Sequence, residues 1–162
     1  MRNIINVNKN WNFVKEADAP EVVNLPHTWN NIDGMDGGAD FYRGTCKYQK
    51  AIKKSELPEA DMYYLEINGA AASADVYVNG KNLAHHDGGY STWRVNITEE
   101  LTEETVIEIA VDNSPSDKVY PQVADFTFYG GLYRDVNILA VAKSHFDLDY
   151  FGGSGLAITP TI

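Results

Sequence analysis

The stretch ADVYVNGKNLAHH, residues 74–86, decides how the rest of the chain is read. Ala74, Val76 and Val78 alternate with Asp75 and Tyr77, a period of two that puts the apolar residues on one face of a strand. Asn79-Gly80 follows, and a two-residue turn there needs positive φ at both positions, which this dipeptide adopts more readily than almost any other. The spacing therefore predicts a tight hairpin at 79–80, with Lys81 to His86 as the returning strand. One local signal commits this part of the chain to antiparallel pairing.

The same period recurs on both sides. In MYYLEIN (62–68) Tyr63, Leu65 and Ile67 share a face, and in TVIEIAV (105–111) Ile107, Ile109 and Val111 do so. EVVNL (21–25), YRGTCKYQKAI (42–52), TWRVNI (92–97), LYRDVNILAVA (132–142) and HFDLDY (145–150) read as further strands between loops rich in Gly, Asp, Asn and Pro. Gly88-Gly89 before Tyr90 reads as a tight connection between strands. ITEELTEET (97–105) has room for one turn, with Thr98 as its N-cap over Glu99 and Glu100, and its glutamates form a solvated loop. No long helical period is present. Many short strands with frequent turns give an all-β fold class, a two-sheet jelly-roll β-sandwich.

The 162 residues suit one well-cored domain, and 44% hydrophobic with 12% aromatic content excludes a disordered tail. A formal net charge of −10 excludes nucleic acid and anionic membrane surfaces as partners, because both would repel the chain, and leaves a neutral partner as the easiest to accommodate. No apolar stretch approaches a membrane span, and the opening MRNIINVNKNWNF lacks the apolar core of a signal peptide. Cys46, the single cysteine, lies in an alternating run and reads as a small buried hydrophobe. The expectation is no disulfide framework, no metal and no cofactor. Residues 1–142 are assigned to the jelly roll. Residues 143–162, with their Phe-Gly-Gly-Ser-Gly turn and Pro-containing tail, are assigned to a C-terminal strand and linker toward a further domain. Apolar surface at such a boundary favours self-association into a homo-oligomer.

Three stretches carry side chains suited to a ligand. In ADFTFYGGLYRDV (124–136), Asp125 stands among aromatics, either as a turn cap or as an acceptor for sugar hydroxyls. In LPHTWNNIDGMDGGADFYRG (25–44), Trp29 offers an apolar face to a pyranose while Asn30 and Asp33 could pair with hydroxyls, beside Asp36 and Asp40. The competing reading is a packed loop whose Asp and Gly residues serve turn geometry, and His27, after a proline, is read as packing. In HHDGGYS (85–91), His85 and His86 invite a metal, but neighbours on a strand point to opposite faces and cannot easily share an ion. Arg134, placed with Leu132, Val136 and Ile138, needs a carboxylate or carbonyl partner. No serine occupies a strained elbow and no base accompanies Cys46 in the pattern, while GMDGG and FGGSG lack the lysine and helix of a phosphate loop.

LPHTWN (25–30), YRGTCKYQK (42–50), NGAAASADVYVNG (68–80), HHDGGYSTWRVNIT (85–98) and DFTFYGGLYRDV (125–136), taken in order, resemble glycoside hydrolase family 2, and within it the N-terminal sugar-binding domain. The likeness runs from Trp11 to the FGGSG turn. It implies a galactose-binding-domain-like jelly roll, followed in that family by an immunoglobulin-like domain and a TIM barrel bearing two catalytic glutamates. Retaining enzymes of this kind need two carboxyl groups about 5 to 5.5 Å apart. The family's acid/base glutamate follows an asparagine, and this sequence has no Asn-Glu dipeptide. The resemblance thus implies a noncatalytic domain of a β-glycosidase, a β-galactosidase first, with β-linked sugar as partner at the interface with the barrel. It also implies that Asp125 is a sugar contact lent to the barrel's active site, with Asn30, Asp33 and Trp29 near the barrel mouth. Two other readings stand beside it. One is an autonomous carbohydrate-binding module gripping polysaccharide through Trp93, Tyr120 or Trp29, and the other a purely structural or oligomerisation domain.

Overall fold

The Asn79-Gly80 hairpin forms as its residues require, with φ of 50° at Asn79 and 83° at Gly80. The Asn79 side chain also anchors the turn, donating to the Glu100 carbonyl at 2.8 Å and accepting from the Val106 N–H at 2.9 Å. The computed structural model describes residues 2–16, 18–31, 33, 41–124 and 127–161. Within them the strands are β1 (Arg2–Asn6), β2 (Trp11–Lys15), β3 (Glu21–Val23), β4 (Thr45–Lys53), β5 (Met62–Ile67), β6 (Ser73–Val78), β7 (Lys81–Asp87), β8 (Trp93–Asn96), β9 (Glu104–Asp112) and β10 (Val136–Val141). They make a four-stranded sheet in the order β1-β10-β5-β8 and a six-stranded sheet in the order β3-β2-β4-β9-β6-β7, antiparallel throughout.

The alternating faces read from the sequence close on each other. Tyr63, Leu65 and Ile67 of β5 and Val136, Ile138 and Ala140 of β10 pack against Val76 and Val78 of β6, Ile107, Ile109 and Val111 of β9 and Cys46 and Tyr48 of β4 in one core. Burying each large side chain contributes about 1.5 to 3 kcal/mol, so this interface is the main source of stability. Cys46 is inert within it, since burial pushes its thiol pKa up to about 12.

Five local readings differ from the structure. The opening MRNIINVNKNWNF holds β1 and β2. β1 is an edge strand with Ile4 exposed, which blurred its alternation. The strand expected over 132–142 begins only at Val136, because Gly131 (φ 123°) forms a bridge with Ala71 and the chain then loops outward. Arg134 is consequently exposed rather than on an apolar face, and its guanidinium takes the carbonyl partners it needs at Asn68 (3.3 Å) and Tyr90 (2.8 Å). Thr98 lies inside a single 3-10 turn, Thr98–Glu100, whose N-cap is Ile97, and its hydroxyl accepts instead from the Tyr63 N–H at the edge of β5. HFDLDY forms no strand, and Leu148 packs on the outer face of the four-stranded sheet against Tyr64, Leu139 and Val141.

That outer face also carries a polar row across all four strands, Asn6, Asn137, Glu66 and Arg94, each opposite the next in register. Arg94 meets Glu66 at 2.7 Å, both buried, and its Nη1 donates to the Leu148 and Gly153 carbonyls at 2.9 Å each. A buried charge pair is tolerated when every donor and acceptor is engaged, and here the arginine also holds the segment after the sandwich.

Candidate functional site

The connections at one end of the six-stranded sheet converge on Asn30, whose side chain is wholly buried. Its Oδ1 accepts from the Gly130 N–H at 2.7 Å and from Asn113 Nδ2 at 3.2 Å. Its Nδ2 donates to Asp33 Oδ2 and to the Tyr42 carbonyl, each at 3.0 Å. Asn113 extends the network, accepting from the Gly44 N–H at 2.9 Å and donating to the Tyr42 carbonyl at 3.2 Å. Thr28 closes it with a bond to the Gly130 carbonyl at 2.7 Å. Two buried amides thereby lock four stretches of backbone, around 28–33, 42–44, 113 and 130, into one body.

Glycine is needed where those stretches meet. A Cβ on Gly130 would lie 2.2 Å from Trp29 Cζ2 and 2.8 Å from Asn113 Nδ2. Trp29 is 7% exposed and stacks on Phe13 at 6.1 Å. His27 packs between Phe13 and Tyr48 and its Nδ1 pairs with the Tyr48 hydroxyl at 2.8 Å. Burial lowers the His27 pKa, so the ring is held neutral as packing requires. Arg43 reaches across the same end to Gln122, bonding its side-chain and main-chain oxygens at 3.5 and 3.3 Å. Trp29 Nε1, Asp33 Oδ1, Arg43 Nε and Gln122 Nε2 are buried without a hydrogen-bond partner among the described residues, a concentration of orphaned polar atoms at this end.

Beside this body runs a groove of about 430 Å³, walled by Thr28, Asn31, Tyr90, Tyr120, Phe128 and Tyr133. Tyr90 stacks on Tyr120 (4.6 Å, 26°), Tyr120 on Phe128 (5.9 Å, 27°), and Tyr133 meets Tyr90 edge-on at 6.5 Å. Burial raises the phenol pKa of Tyr120 and of Tyr133, so both remain neutral. The Tyr133 hydroxyl donates to the Gly89 carbonyl in the turn between β7 and β8.

The residues singled out in the sequence are placed differently. Asp125, Asp36 and Asp40 lie outside the described residues. Asn30, read as a partner for sugar hydroxyls or as part of a packed loop, has its amide bonded within the protein. Asp33 Oδ2 is likewise taken, by Asn30 and by the Tyr42 N–H at 2.8 Å, and Trp29 presents no open face. His85 and His86 do face apart. His85 lies between Asp75 and Asp87 at 3.0 Å from each, and His86 stacks on Trp93. Of the rings named for a polysaccharide grip, Trp93 (8% exposed) and Trp29 are buried, and Tyr120 lines the groove. The groove itself was missed. Its rings come from three separate stretches, and the available signal was the surplus of ten tyrosines over what a core needs.

Comparison with known proteins gives a consistent picture. The family profile described as glycosyl hydrolase 2 galactose-binding domain-like matches residues 41–148. Among solved structures, an FMN-binding β-glucuronidase from Facaelibacterium prausnitzii L2-6 is 44% identical with a TM-score of 0.87, over 94% of this chain and 24% of that one. Among curated proteins, a β-glucuronidase of Bacteroides fragilis is 35% identical over 92% of this chain. A β-galactosidase of Thermoanaerobacter pseudethanolicus is 29% identical over 93% of it. This chain spans 22% of the length of each of those two relatives.

Proposed function

The chain belongs to the glycosyl hydrolase 2 galactose-binding domain-like family, and from that membership we propose that it is the noncatalytic N-terminal sugar-contacting domain of a retaining β-glycosidase. The observation that carries this reading is the rigid loop end. In sequence Asp125 lies between Gln122, gripped by Arg43, and Gly130, gripped by Asn30, so both flanks of the segment are tied to the sandwich. A carboxylate on such a segment can accept hydrogen bonds from one or two hydroxyls of a nonreducing-end sugar while glutamates elsewhere in the enzyme act on the glycosidic bond. Asn30 supports that contact by holding Gly130, on the C-terminal flank of the segment, and Asp33 and Trp29 support it indirectly, Asp33 by accepting from the Asn30 amide and Trp29 by packing against Gly130. The loop end's orphaned polar atoms fit a surface that is completed by other groups.

The sugar is a β-galactoside or a β-glucuronide. The chain's net charge of −10 argues for the neutral sugar. The higher identity of the glucuronidases argues for the acidic one, and local groups at the site outweigh a charge spread over the whole domain. Residues 143–162 lead toward a further domain, and exposed Phe146, Tyr150, Phe151, Leu156 and Ile158 supply surface for it or for a second copy of the chain. The test pairs this chain with its parent enzyme on 4-nitrophenyl β-galactoside and β-glucuronide. The chain alone is expected to show no turnover, and the parent to hydrolyse one of the two with retention at the anomeric carbon. Turnover by the chain alone, or inversion by the parent, refutes the reading.

A further inference from the structure

We propose that residues 143–155 are a fixed bracket of the sandwich, and that 156–161 and the aromatic tip of the bracket form a docking surface for the next domain of the parent polypeptide, which pairs a sheet edge with them. This rests on the reading of the chain as one domain of a longer glycosidase, and it commits the surface after the sandwich to one occupant. It also sets the domain boundary at 155 rather than 142. The bracket is held at several points. The Lys143 N–H donates to Asp61 Oδ2 at 2.8 Å, Leu148 is buried among Tyr64, Leu139 and Val141, and the buried Arg94 guanidinium donates to the Leu148 and Gly153 carbonyls. Packing is close enough to demand glycine twice. A Cβ on Gly152 (φ 65°) would overlap the Thr92 carbonyl, and one on Gly155 (φ 78°) the Asp147 carbonyl, so the loop is seated on β8's approach and closed upon itself. A linker has no such ties.

The surface beyond it is concentrated and unpaired. Phe146, Tyr150, Phe151, Leu156 and Ile158 are five of the eleven exposed large hydrophobic side chains among the described residues, too many between 146 and 158 to be ordinary scatter. Tyr150 and Phe151 meet edge-on at 4.8 Å, and Phe151 and Ile158 are 88% and 87% exposed. In LAITPT (156–161), Leu156 and Ile158 alternate with Ala157 and Thr159, the period of a strand, yet the backbone of this stretch makes no hydrogen bond to any described residue. Such a stretch is a template for a neighbouring strand, and Pro160, without an N–H, suits an edge position. The occupant follows from tethering and charge. A domain joined through six residues faces this surface at an effective concentration of about millimolar, whereas two copies of a chain of net charge −10 repel each other.

The test is hydrogen exchange, compared between this chain and the parent enzyme. In this chain the Asp149 and Gly153 amides donate to Asp147 Oδ1 at 2.8 Å and to the Tyr150 carbonyl at 2.9 Å. They should exchange at least about tenfold more slowly than in an unstructured peptide, and the amides of 156–161 no more slowly than in one. In the parent, 156–161 should gain about tenfold protection or more. Ile158→Asp should abolish that gain and leave the urea midpoint of this chain unchanged, while Ile158→Val should keep the gain. Fast exchange at 149 and 153 in this chain would make the segment a linker. Unprotected 156–161 in the parent would leave the surface without its occupant, and protection in this chain that grows with its concentration would assign the surface to a second copy. Each of these three results overturns the proposal. Hydrolysis enters none of the readouts, so a parent that protects 156–161 but cleaves no glycoside refutes the glycosidase reading and leaves the docking surface standing.

Discussion

The interior between the sheets and the loop end at Asn30 both exclude water, and they do so by opposite means. In the interior, Ile67, Ile109, Ile138 and their neighbours meet through contacts that have no direction, so any side chain of similar volume would serve nearly as well. At the loop end, Asn30 and Asn113 spend their amides on each other, on the Asp33 carboxylate and on backbone groups at 42–44 and 130, and each bond has one geometry. The first region supplies stability, and the second converts it into shape. Asn30 and Asp33, which read in the sequence as groups for sugar hydroxyls or as parts of a packed loop, bond within the protein and fix the loop end in shape.

This contrast makes predictions of decreasing size. Ile109→Ala should cost about 2 to 5 kcal/mol of unfolding free energy, measured by urea titration, and leave kcat/KM of the folded parent enzyme unchanged. A loss below about 1 kcal/mol would mean that the interior is not the scaffold. Asn30→Ala orphans the Gly130 N–H and should cost about 1 to 3 kcal/mol, yet it should also lower kcat/KM at temperatures where the enzyme is fully folded. Unchanged kcat/KM in that variant would reduce the loop end to another piece of interior. His85, on the exposed face of β7, belongs to neither region and serves as a control. Its hydrogen bonds to Asp75 and then Asp87 raise its pKa above the ordinary value. The stabilisation is therefore complete below the unfolded-state pKa near 6.5 and disappears as pH rises through the higher folded-state value. Because the pair is solvent-screened, His85→Gln should cost less than about 1 kcal/mol at pH 5.5 and nothing at pH 9, with activity unaffected.

The two regions also differed in how far the sequence revealed them. Alternation in β5, β6 and β9 and the Asn79-Gly80 turn identified the sandwich, because a period of two and a positive-φ turn are local properties. β1 escaped notice since half of an edge strand faces water, and HFDLDY was read as a strand because Leu148 is buried without being in one. The loop end resisted for a different reason. Asn30 looks the same in sequence whether its amide meets a hydroxyl or the N–H of Gly130, a hundred residues away. The groove's rings, drawn from 90, 120, 128 and 133, had no common period to betray them.

The account stands most directly on Asp125. On the proposed reading, Asp125→Ala in the intact parent enzyme takes away a charge-assisted hydrogen bond to the sugar, a class of bond worth about 1.5 to 3 kcal/mol, so kcat/KM on its β-glycoside should fall roughly ten- to a hundredfold or more while the melting temperature stays at the wild-type value. Full activity in that variant, or a loss that tracks unfolding alone, would make Asp125 a turn residue and contradict the sugar-contacting role of the domain.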